Sequence, residues 1–245
     1  MKLTIVIKAL NEEEKIAMCI ESALRVLAAF EGGGEVILAD SLSSDATVAI
    51  AMQYPIRIVQ LVDPEDRSCG AGWQLGYQFA RGEYIWLTDG DMTLDVDFAN
   101  RAIAHLTENP QVAGVGGLLI DTHAHTSAEK RRIDHYSKIK TVTDVDCLGG
   151  GGIYKKEAIE TVGYISNRWL NAVEEAELGC RLRREGWRLV RLPIVMVRHT
   201  GHHETEIAKQ LRLFRTKRQH AYGLLLRYAL GTKWLPDAIQ ASWFI

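Results

Sequence analysis

Short apolar runs alternate with amphipathic stretches along the first half of the chain. The apolar runs are rich in β-branched residues and four to six residues long, as in buried strands. The stretches between them carry apolar residues at helical spacing, for example Ile16, Ile20, Leu24 and Leu27. This alternation predicts an α/β fold with a mostly parallel central sheet flanked by helices. Strands are predicted at 3–7, 35–39, 56–61 and 84–88, and helices at 13–30, 70–80 and a segment ending at 52.

The second half of the chain is less regular. Helices are predicted at 97–106, 172–185 and 204–230, and strands at 112–120 and 187–197. The polar segment 121–146 fits either a helix over a site or a loop, and its pattern does not decide between them. No repeat or linker is visible. We therefore predict one domain over 1–205, followed by a basic, amphipathic helical extension over 206–245. The apolar end of the extension leaves open whether the chain continues, including into membrane helices.

Composition narrows the protein class. The 245 residues are 47% hydrophobic and 24% charged, which is typical of a soluble globular protein. A net charge of -2 gives no overall attraction to nucleic acid. The four cysteines form no CxxC pair, which argues against a zinc ribbon or a disulfide framework. The sequence shows no signal peptide and no membrane-spanning run, so we expect a cytoplasmic protein.

The strongest candidate for chemistry is Asp89-Gly90-Asp91, which directly follows the predicted strand 84–88. Side chains at i and i+2 of a strand point the same way, so both carboxylates are expected at the carboxyl end of the sheet. Open α/β sheets bind ligands at that edge. Two adjacent carboxylates suit a hard divalent cation, Mg²⁺ or Mn²⁺, that also holds phosphates. The alternative is a surface Asp-Gly turn.

Two further segments carry unusual residues. The glycines at 149–152 require close backbone approach or unusual dihedral angles. His199, His202 and His203 follow the last predicted strand, but no spaced partner completes a tetrahedral zinc site. A dinucleotide fingerprint is also excluded, because no GxGxxG follows the first strand.

Five motifs follow one another along roughly residues 3–203. They are Ile5-Val6-Ile7-Lys8-Ala9-Leu10-Asn11-Glu12, Asp40-Ser41-Leu42-Ser43-Ser44-Asp45, the segments 70–76 and 80–85, Asp89-Gly90-Asp91, and Glu174-Glu175-Ala176-Glu177-Leu178 with Arg181. Taken together, and not through any single motif, they resemble the family 2 glycosyltransferases, whose fold is the GT-A type with a Rossmann-like nucleotide-binding domain.

The resemblance implies an inverting, metal-dependent transfer of a sugar from a nucleotide sugar, of the UDP type, to a hydroxyl acceptor in polysaccharide or glycolipid synthesis. It implies that Glu175 is the general base with Glu174 beside it. Asp91, Asp89 and His199 would hold Mg²⁺ or Mn²⁺, with His202 as the next choice. Gly150 and Gly151 would face the acceptor. The nucleotide sugar would lie against Ala9, Asn11, Glu12, Asp40, Arg67, Asp89 and Gly90, with Asp40 reading the uracil edge.

The sequence departs from the family pattern at three positions. Lys8 stands where proline is usual, Gln74 replaces asparagine, and Glu175 replaces the aspartate of the acidic pair. The longer Glu175 side chain keeps open a nucleotide-binding protein of the same fold that has lost turnover. A sugar nucleotidylyltransferase is a further alternative, although the loop at 8–14 lacks the glycine and arginine that those enzymes carry.

Several acidic residues also have ordinary structural explanations. Asp45 fits a first-turn acid at a helix N-terminus, and Glu177 fits an i,i+4 pair with Arg181. For Arg67 a surface arginine is at least as good an interpretation as a nucleotide contact.

The C-terminal extension is strongly basic. Residues 209–233 contain seven Lys or Arg and no Asp or Glu. This charge would suit peripheral contact with an anionic membrane at the inner face of the cell membrane, and with it a lipid-linked acceptor. The favoured alternative is a helix packed on the domain, with Leu211, Phe214 and Leu225 turned inward.

Overall fold

The computed structural model describes residues 1–123, 126–200 and 206–243. In this part of the chain, nine strands form one sheet with the order β3-β2-β1-β4-β8-β6-β9-β5, and β7 pairs with β9 at one side. The strands are β1 (Leu3–Ala9), β2 (Gly34–Asp40), β3 (Arg57–Gln60), β4 (Tyr84–Asp89), β5 (Met92–Leu94), β6 (Val112–Asp121), β7 (Thr143–Asp144), β8 (Gly152–Lys155) and β9 (Arg188–His199).

Ten α-helices are described, together with two short 3-10 turns at Pro64–Asp66 and Arg218–His220. The helices are α1 (Ile16–Ala29), α2 (Thr47–Ala51), α3 (Cys69–Gln78), α4 (Phe98–Glu108), α5 (Ser127–Ser137), α6 (Lys156–Thr161), α7 (Glu174–Arg184), α8 (Glu206–Arg215), α9 (Ala221–Ala229) and α10 (Leu235–Ser242).

The sheet has a parallel half and a mixed half. Strands β3, β2, β1 and β4 are parallel, as the β-α alternation predicts. Beyond them β8 is antiparallel to both β4 and β6, whereas β6 and β9 are parallel to each other. The predicted α/β class with a central sheet flanked by helices is confirmed, and the antiparallel β8 in its middle is an addition that the sequence pattern did not show.

Alternation along β1 divides the core between the two faces of the sheet. Ile5 and Ile7 belong to the cluster that packs against α1 and α4, whereas Val6 belongs to the cluster on the α3 and α7 side. This is the period-two pattern of a strand buried on both faces. The core therefore fixes the register of the strands whose carboxyl ends carry the candidate site.

The C-terminal segment differs from the predicted single helix over 204–230, which was wrong. Lys217 adopts a left-handed conformation (φ 56°) and separates α8 from the helices that follow. Leu225 is buried with α10 as expected, but Leu211 and Phe214 are 52% and 66% exposed. Those two apolar residues do not pack on the domain. None of the described helices combines the length and apolarity that crossing a bilayer demands.

Candidate active site

The carboxyl ends of three parallel strands bring the predicted residues to one edge of the sheet. In the register of these strands, Ala9 of β1 lies beside Asp40 of β2, and Lys8 lies beside Asp89 of β4. Gly90 continues from β4 and packs against Ala9 and Glu12, where an added Cβ would come within 3.2 Å of both side chains. The turn after β4 therefore closes directly onto the turn after β1.

The turn after β1 is held by the turn after β2. Asn11 has a positive φ of 57°, its amide donates to Ser43 Oγ (2.9 Å), and its side-chain oxygen accepts from the Ser44 amide (2.8 Å). The Glu12 amide donates to Thr47 Oγ1 (2.8 Å). These bonds form a rigid pair of turns beside Asp40.

Asp40 is fully buried at the end of β2. Its carboxylate accepts from Ser43 and from the Gln60 side chain, which is 2.8 Å away. Arg67 donates to the carbonyl oxygens of Ser41 (2.9 Å) and Leu42, so in this structure its guanidinium braces the turn after β2. Asp45 accepts from Thr47 and the Glu13 amide, so it has structural partners. It lies two residues before α2, whose first turn holds no acidic residue, so the predicted first-turn position was wrong.

Asp89 and Glu174 are joined through Lys8. The Lys8 ammonium lies 3.1 Å from Asp89 Oδ1 and 3.2 Å from Glu174 Oε1. Burial opposes the charged form of Lys8, but the two carboxylates raise the pKa of its ammonium above the ordinary value. The end of β4 and the N-terminus of α7 therefore meet, although they are far apart in sequence.

Asp91 faces a different set of partners. Its Oδ2 lies 3.1 Å from His199 Nε2, and His199 Nδ1 lies 2.8 Å from Asp121 Oδ1. Arg132 of α5 extends this series of contacts, because its Nε donates to Asp121 Oδ2 (2.7 Å). Burial opposes the charged imidazole, but Asp121 and Asp91 raise the pKa of His199 to about 9.

Asp91 and His199 fit a divalent cation of the Mg²⁺ or Mn²⁺ type. A carboxylate oxygen and an imidazole nitrogen converge there, and Asp121 orients the imidazole from behind, as carboxylates often do behind metal-bound histidine. Within the described residues, no group of three or more His, Cys, Asp or Glu side chains is arranged to hold a metal alone. Water molecules, or phosphate oxygens of a donor, would complete the coordination. His202 lies outside the described residues.

Glu175 occupies a cradle of backbone amides. Its Oε2 accepts from the Gly150 amide (2.8 Å) and its Oε1 from the Gly151 amide (3.0 Å). Burial, followed by the negative charge of Glu174, raises the pKa of Glu175 to about 7. A carboxyl group with such a pKa can accept a proton near neutral pH. The structure thus places Glu175 against the two glycines predicted for the acceptor side.

Helix α5 contacts both sides of this edge. Arg132 reaches Asp121, and Tyr136 donates from its hydroxyl to the Gly149 carbonyl (3.0 Å). Arg191 lies beneath Tyr136 and donates to its hydroxyl (3.1 Å) and to the Gly117 carbonyl (2.7 Å). The undecided segment 121–146 therefore contains a helix that borders the site.

The family model "Glycosyl transferase family 2" matches residues 4–163, which is more than half of the chain. The chain belongs to glycosyl transferase family 2.

Curated relatives of this family 2 member match over shorter stretches. The low-salt glycan biosynthesis hexosyltransferase Agl6 of Haloferax volcanii is 35% identical over 95 residues, which are 39% of this chain and 22% of the relative. The dodecaprenyl-phosphate galacturonate synthase of Rhizobium johnstonii is 32% identical over 103 residues, with coverage of 39% and 29%. The matched stretches thus span less than a third of these relatives' own length.

Solved structures match over nearly the whole chain. S. aureus TarS in complex with UDP-GlcNAc superposes with a TM-score of 0.72 at 16% identity, covering 95% of this chain and 67% of that chain. The mannosyltransferase PcManGT from Pyrobaculum calidifontis, in complex with GDP-Man and Mn²⁺, gives a TM-score of 0.63 at 18% identity, with coverage of 98% and 73%. At these identities the likeness establishes the GT-A fold.

Several contacts of this family 2 member were not apparent from its sequence. Asp121 was placed in an undecided segment, and its contact with His199 spans 78 residues. The contacts of Lys8 with Asp89 and Glu174 also join residues that are distant in sequence. The available signal was the charge of Lys8, since a lysine at the end of a buried strand needs a carboxylate partner. The predicted pair of Glu177 with Arg181 is confirmed, and both side chains are buried.

Proposed function

We propose that this family 2 member is an inverting, metal-dependent hexosyltransferase. It moves a sugar from a nucleoside diphosphate sugar, of the UDP type, to a hydroxyl acceptor in polysaccharide or glycolipid synthesis. The observation that carries the proposal is the bridge from Asp89 through Lys8 to Glu174. It brings the donor-side carboxylates and the candidate base Glu175 to the same edge of the sheet.

Glu175 is the general base in this proposal. One of its oxygens takes the proton of the acceptor hydroxyl as the acceptor oxygen bonds to the anomeric carbon and the bond to the diphosphate breaks. A single displacement of this kind inverts the anomeric configuration. The Gly150 and Gly151 amides hold the carboxylate in one orientation, which favours proton transfer from an aligned acceptor.

Asp91 and His199 are the residues that would hold the divalent cation. When bound, Mg²⁺ or Mn²⁺ would neutralise the charge on the leaving diphosphate and orient it. The structure of PcManGT with GDP-Man and Mn²⁺ supports a metal in this fold. With or without a bound metal, the contact with Asp121 keeps the His199 ring directed toward Asp91.

The donor would occupy the slot formed by the turns after β1, β2 and β4. We assign its lining to Ala9, Asn11, Glu12, Asp40, Arg67, Asp89 and Gly90, as the family resemblance implies. The TarS complex with UDP-GlcNAc supports a uridine nucleotide at this edge. Asp40 would exchange its internal partners Ser43 or Gln60 for the uracil imide.

The acceptor side is formed by Gly150, Gly151 and Glu175. Two relatives are named for dodecaprenyl-phosphate and dolichyl-phosphate substrates, which supports a lipid-linked acceptor here. We place the protein in the cytoplasm with peripheral contact to the inner face of the cell membrane. A polysaccharide acceptor is the other option.

The exposed face of α8 supports the membrane contact. Ile207, Leu211 and Phe214 follow one another at helical spacing and are 75%, 52% and 66% exposed. Arg215, the last residue of α8, and Lys217, two residues after it, are also exposed. Such a surface suits an anionic bilayer. Phe214→Ser should weaken sedimentation with phosphatidylglycerol vesicles, while equal binding to neutral vesicles would contradict the assignment.

The decisive experiment measures release of nucleoside diphosphate across a panel of nucleotide sugars with Mg²⁺ or Mn²⁺. Release of UDP from at least one UDP-sugar, lost on chelation with EDTA, is expected. Magnetic resonance of the product should show inversion at the anomeric carbon. Failure of every donor to bind in the presence of metal would reject the proposal.

One alternative retains a specific observation in its favour. Both oxygens of Glu175 are already occupied by backbone amides, which is also compatible with a nucleotide-binding protein that has lost turnover. This alternative would be favoured if the protein bound the donor but released no UDP when cell extracts containing candidate acceptors were added. The family match leaves the nucleotidylyltransferase alternative without support.

A further inference from the structure

Lys8 is a charged side chain built into the centre of the proposed site. It is the next-to-last residue of β1, whose other residues are apolar apart from Thr4. Its stem lies over Gly72 of α3, where an added Cβ would come within 2.7 Å of Lys8 Cγ. Its ammonium lies 4.1 Å from the centroid of the Trp73 ring. Because residue 72 has no side chain, the Lys8 stem fits against α3 and its ammonium reaches the end of β4.

The two aspartates of the Asp-Gly-Asp motif turn to different partners. Asp89 Oδ1 lies 3.1 Å from the Lys8 ammonium, whereas Asp91 Oδ2 lies 3.1 Å from His199 Nε2. Lys8 is 14% exposed, so its interaction with Asp89 is only partly screened by solvent. Asp89 already has a cation, while Asp91 faces a metal-binding side chain.

We propose that Lys8 is a positioning residue that ties Asp89 to Glu174 and keeps Asp89 out of the metal's ligand set. An ammonium this close to Asp89 repels a divalent cation approaching the same carboxylate. The cation is therefore held from the protein side by Asp91 and His199. Asp89 stays with Glu174, where both face the donor sugar beside the base. This inference rests on the proposed function, because it concerns the metal that the function requires.

Mn²⁺ binding to the full chain without nucleotide tests the role of Lys8. Free Mn²⁺ is followed by electron paramagnetic resonance for the wild type, Asp89→Asn, Asp91→Asn, Lys8→Met and the double variant Lys8→Met/Asp89→Asn. Asp91→Asn should weaken Mn²⁺ binding by about tenfold or more, and Asp89→Asn by no more than about twofold. Lys8→Met should tighten binding about tenfold, because Asp89 is then available as a ligand.

The double variant separates recruitment of Asp89 from a general change in charge. If Asp89 becomes a ligand only when Lys8 is absent, Asp89→Asn should cancel most of the gain produced by Lys8→Met. Lys8→Arg keeps the charge and should bind Mn²⁺ like the wild type. Lys8→Gln serves as a second neutral variant, and thermal melting identifies any variant that fails to fold.

The possible results separate this inference from the proposed function. Equal loss of Mn²⁺ affinity in Asp89→Asn and Asp91→Asn would overturn the role of Lys8 and leave the metal-dependent transfer intact. A gain in Lys8→Met that persists in the double variant would also overturn it. Absence of Mn²⁺ binding in the wild type would overturn both this inference and the metal dependence of the proposed function.

Discussion

The two faces of the first turn of α7 place similar residues in opposite environments. On one face, Glu175 accepts from the Gly150 and Gly151 amides, and within the described residues no cation forms an ion pair with it. On the other face, Glu177 is fully buried and forms a two-bond pair with Arg181, at 2.7 Å for each bond. The Tyr164 hydroxyl donates to the same carboxylate (2.8 Å).

The difference shows that the contacts of a glutamate on this helix decide whether it suits proton transfer or stabilises the fold. Glu177 is paired with the Arg181 guanidinium, so its role is to hold the fold together. Glu175 has only neutral amides and a neighbouring Glu174, so its pKa rises to about 7 and it can exchange a proton. Glu174, between them, is balanced by Lys8.

The largest expected effect comes from removing the base. Glu175→Gln should lower kcat by about 10²- to 10⁴-fold, because the amide cannot take the acceptor proton. Donor affinity, measured by calorimetry with a UDP-sugar, should change by less than about twofold. Glu185→Gln, at the exposed end of the same helix, is the matched control. A comparable loss in that control would contradict the assignment.

Removing the balanced glutamate should instead affect stability. Glu177→Ala leaves Arg181 buried without its carboxylate, which should lower the free energy of unfolding by about 3–5 kcal/mol. Urea unfolding measures this change. Glu175→Ala should cost much less, because it leaves no buried cation behind. If both variants lost the same stability, the contrast between the two faces would not hold.

Asp121 is a second balanced carboxylate, with Arg132 and His199 as partners. Burial disfavours the charged carboxylate and so raises the pKa of Asp121, but His199 and Arg132 outweigh burial and hold this pKa below its ordinary value. Asp121→Asn should loosen the His199 ring and weaken Mn²⁺ affinity about 10- to 100-fold. Asp134→Asn, exposed on α5, is the control. Unchanged Mn²⁺ affinity in Asp121→Asn would show that the ring is held by other contacts.

The smallest expected effect is the dependence of kcat/KM on pH. The Glu175 carboxyl must be ionised to act as a base, and its raised pKa means that it stays protonated until the pH approaches 7. Activity should therefore fall as the pH drops through about 7, by about tenfold per unit below it. A flat profile between about pH 5.5 and 8.5 would argue against Glu175 as the titrating base.

Local patterns predicted the elements that carry the donor side. The strands β1, β2 and β4 are mostly apolar runs, so their position and the placement of Asp89 at the end of the sheet followed from the local pattern. Asp40 was assigned by the family resemblance. β8 was missed because it has only four residues and follows a glycine run, which carries no periodicity. The break at Lys217 was missed because the helical pattern continues across it.

The contacts that complete the site depend on distant residues. Lys8 reaches Glu174 across 166 positions, and Asp121 reaches His199 across 78. No local spacing encodes such pairs. The sequence therefore predicted which carboxylates matter by family resemblance, but not which cation or imidazole each one would contact. The predicted roles of the individual site residues stay predictions until the variants above are measured.

Gly151 shows how the distance between the two halves of the proposed reaction centre is set. Its amide holds Glu175, and its backbone lies so close to β4 that an added Cβ would come within 2.2 Å of the Leu87 carbonyl oxygen. β4 ends at Asp89, two residues later. In the proposed reaction, the gap that the sugar ring must fit is thus set by contact between two main-chain segments. We expect substitutions of the surrounding side chains to change which sugar enters while the width of that gap stays the same.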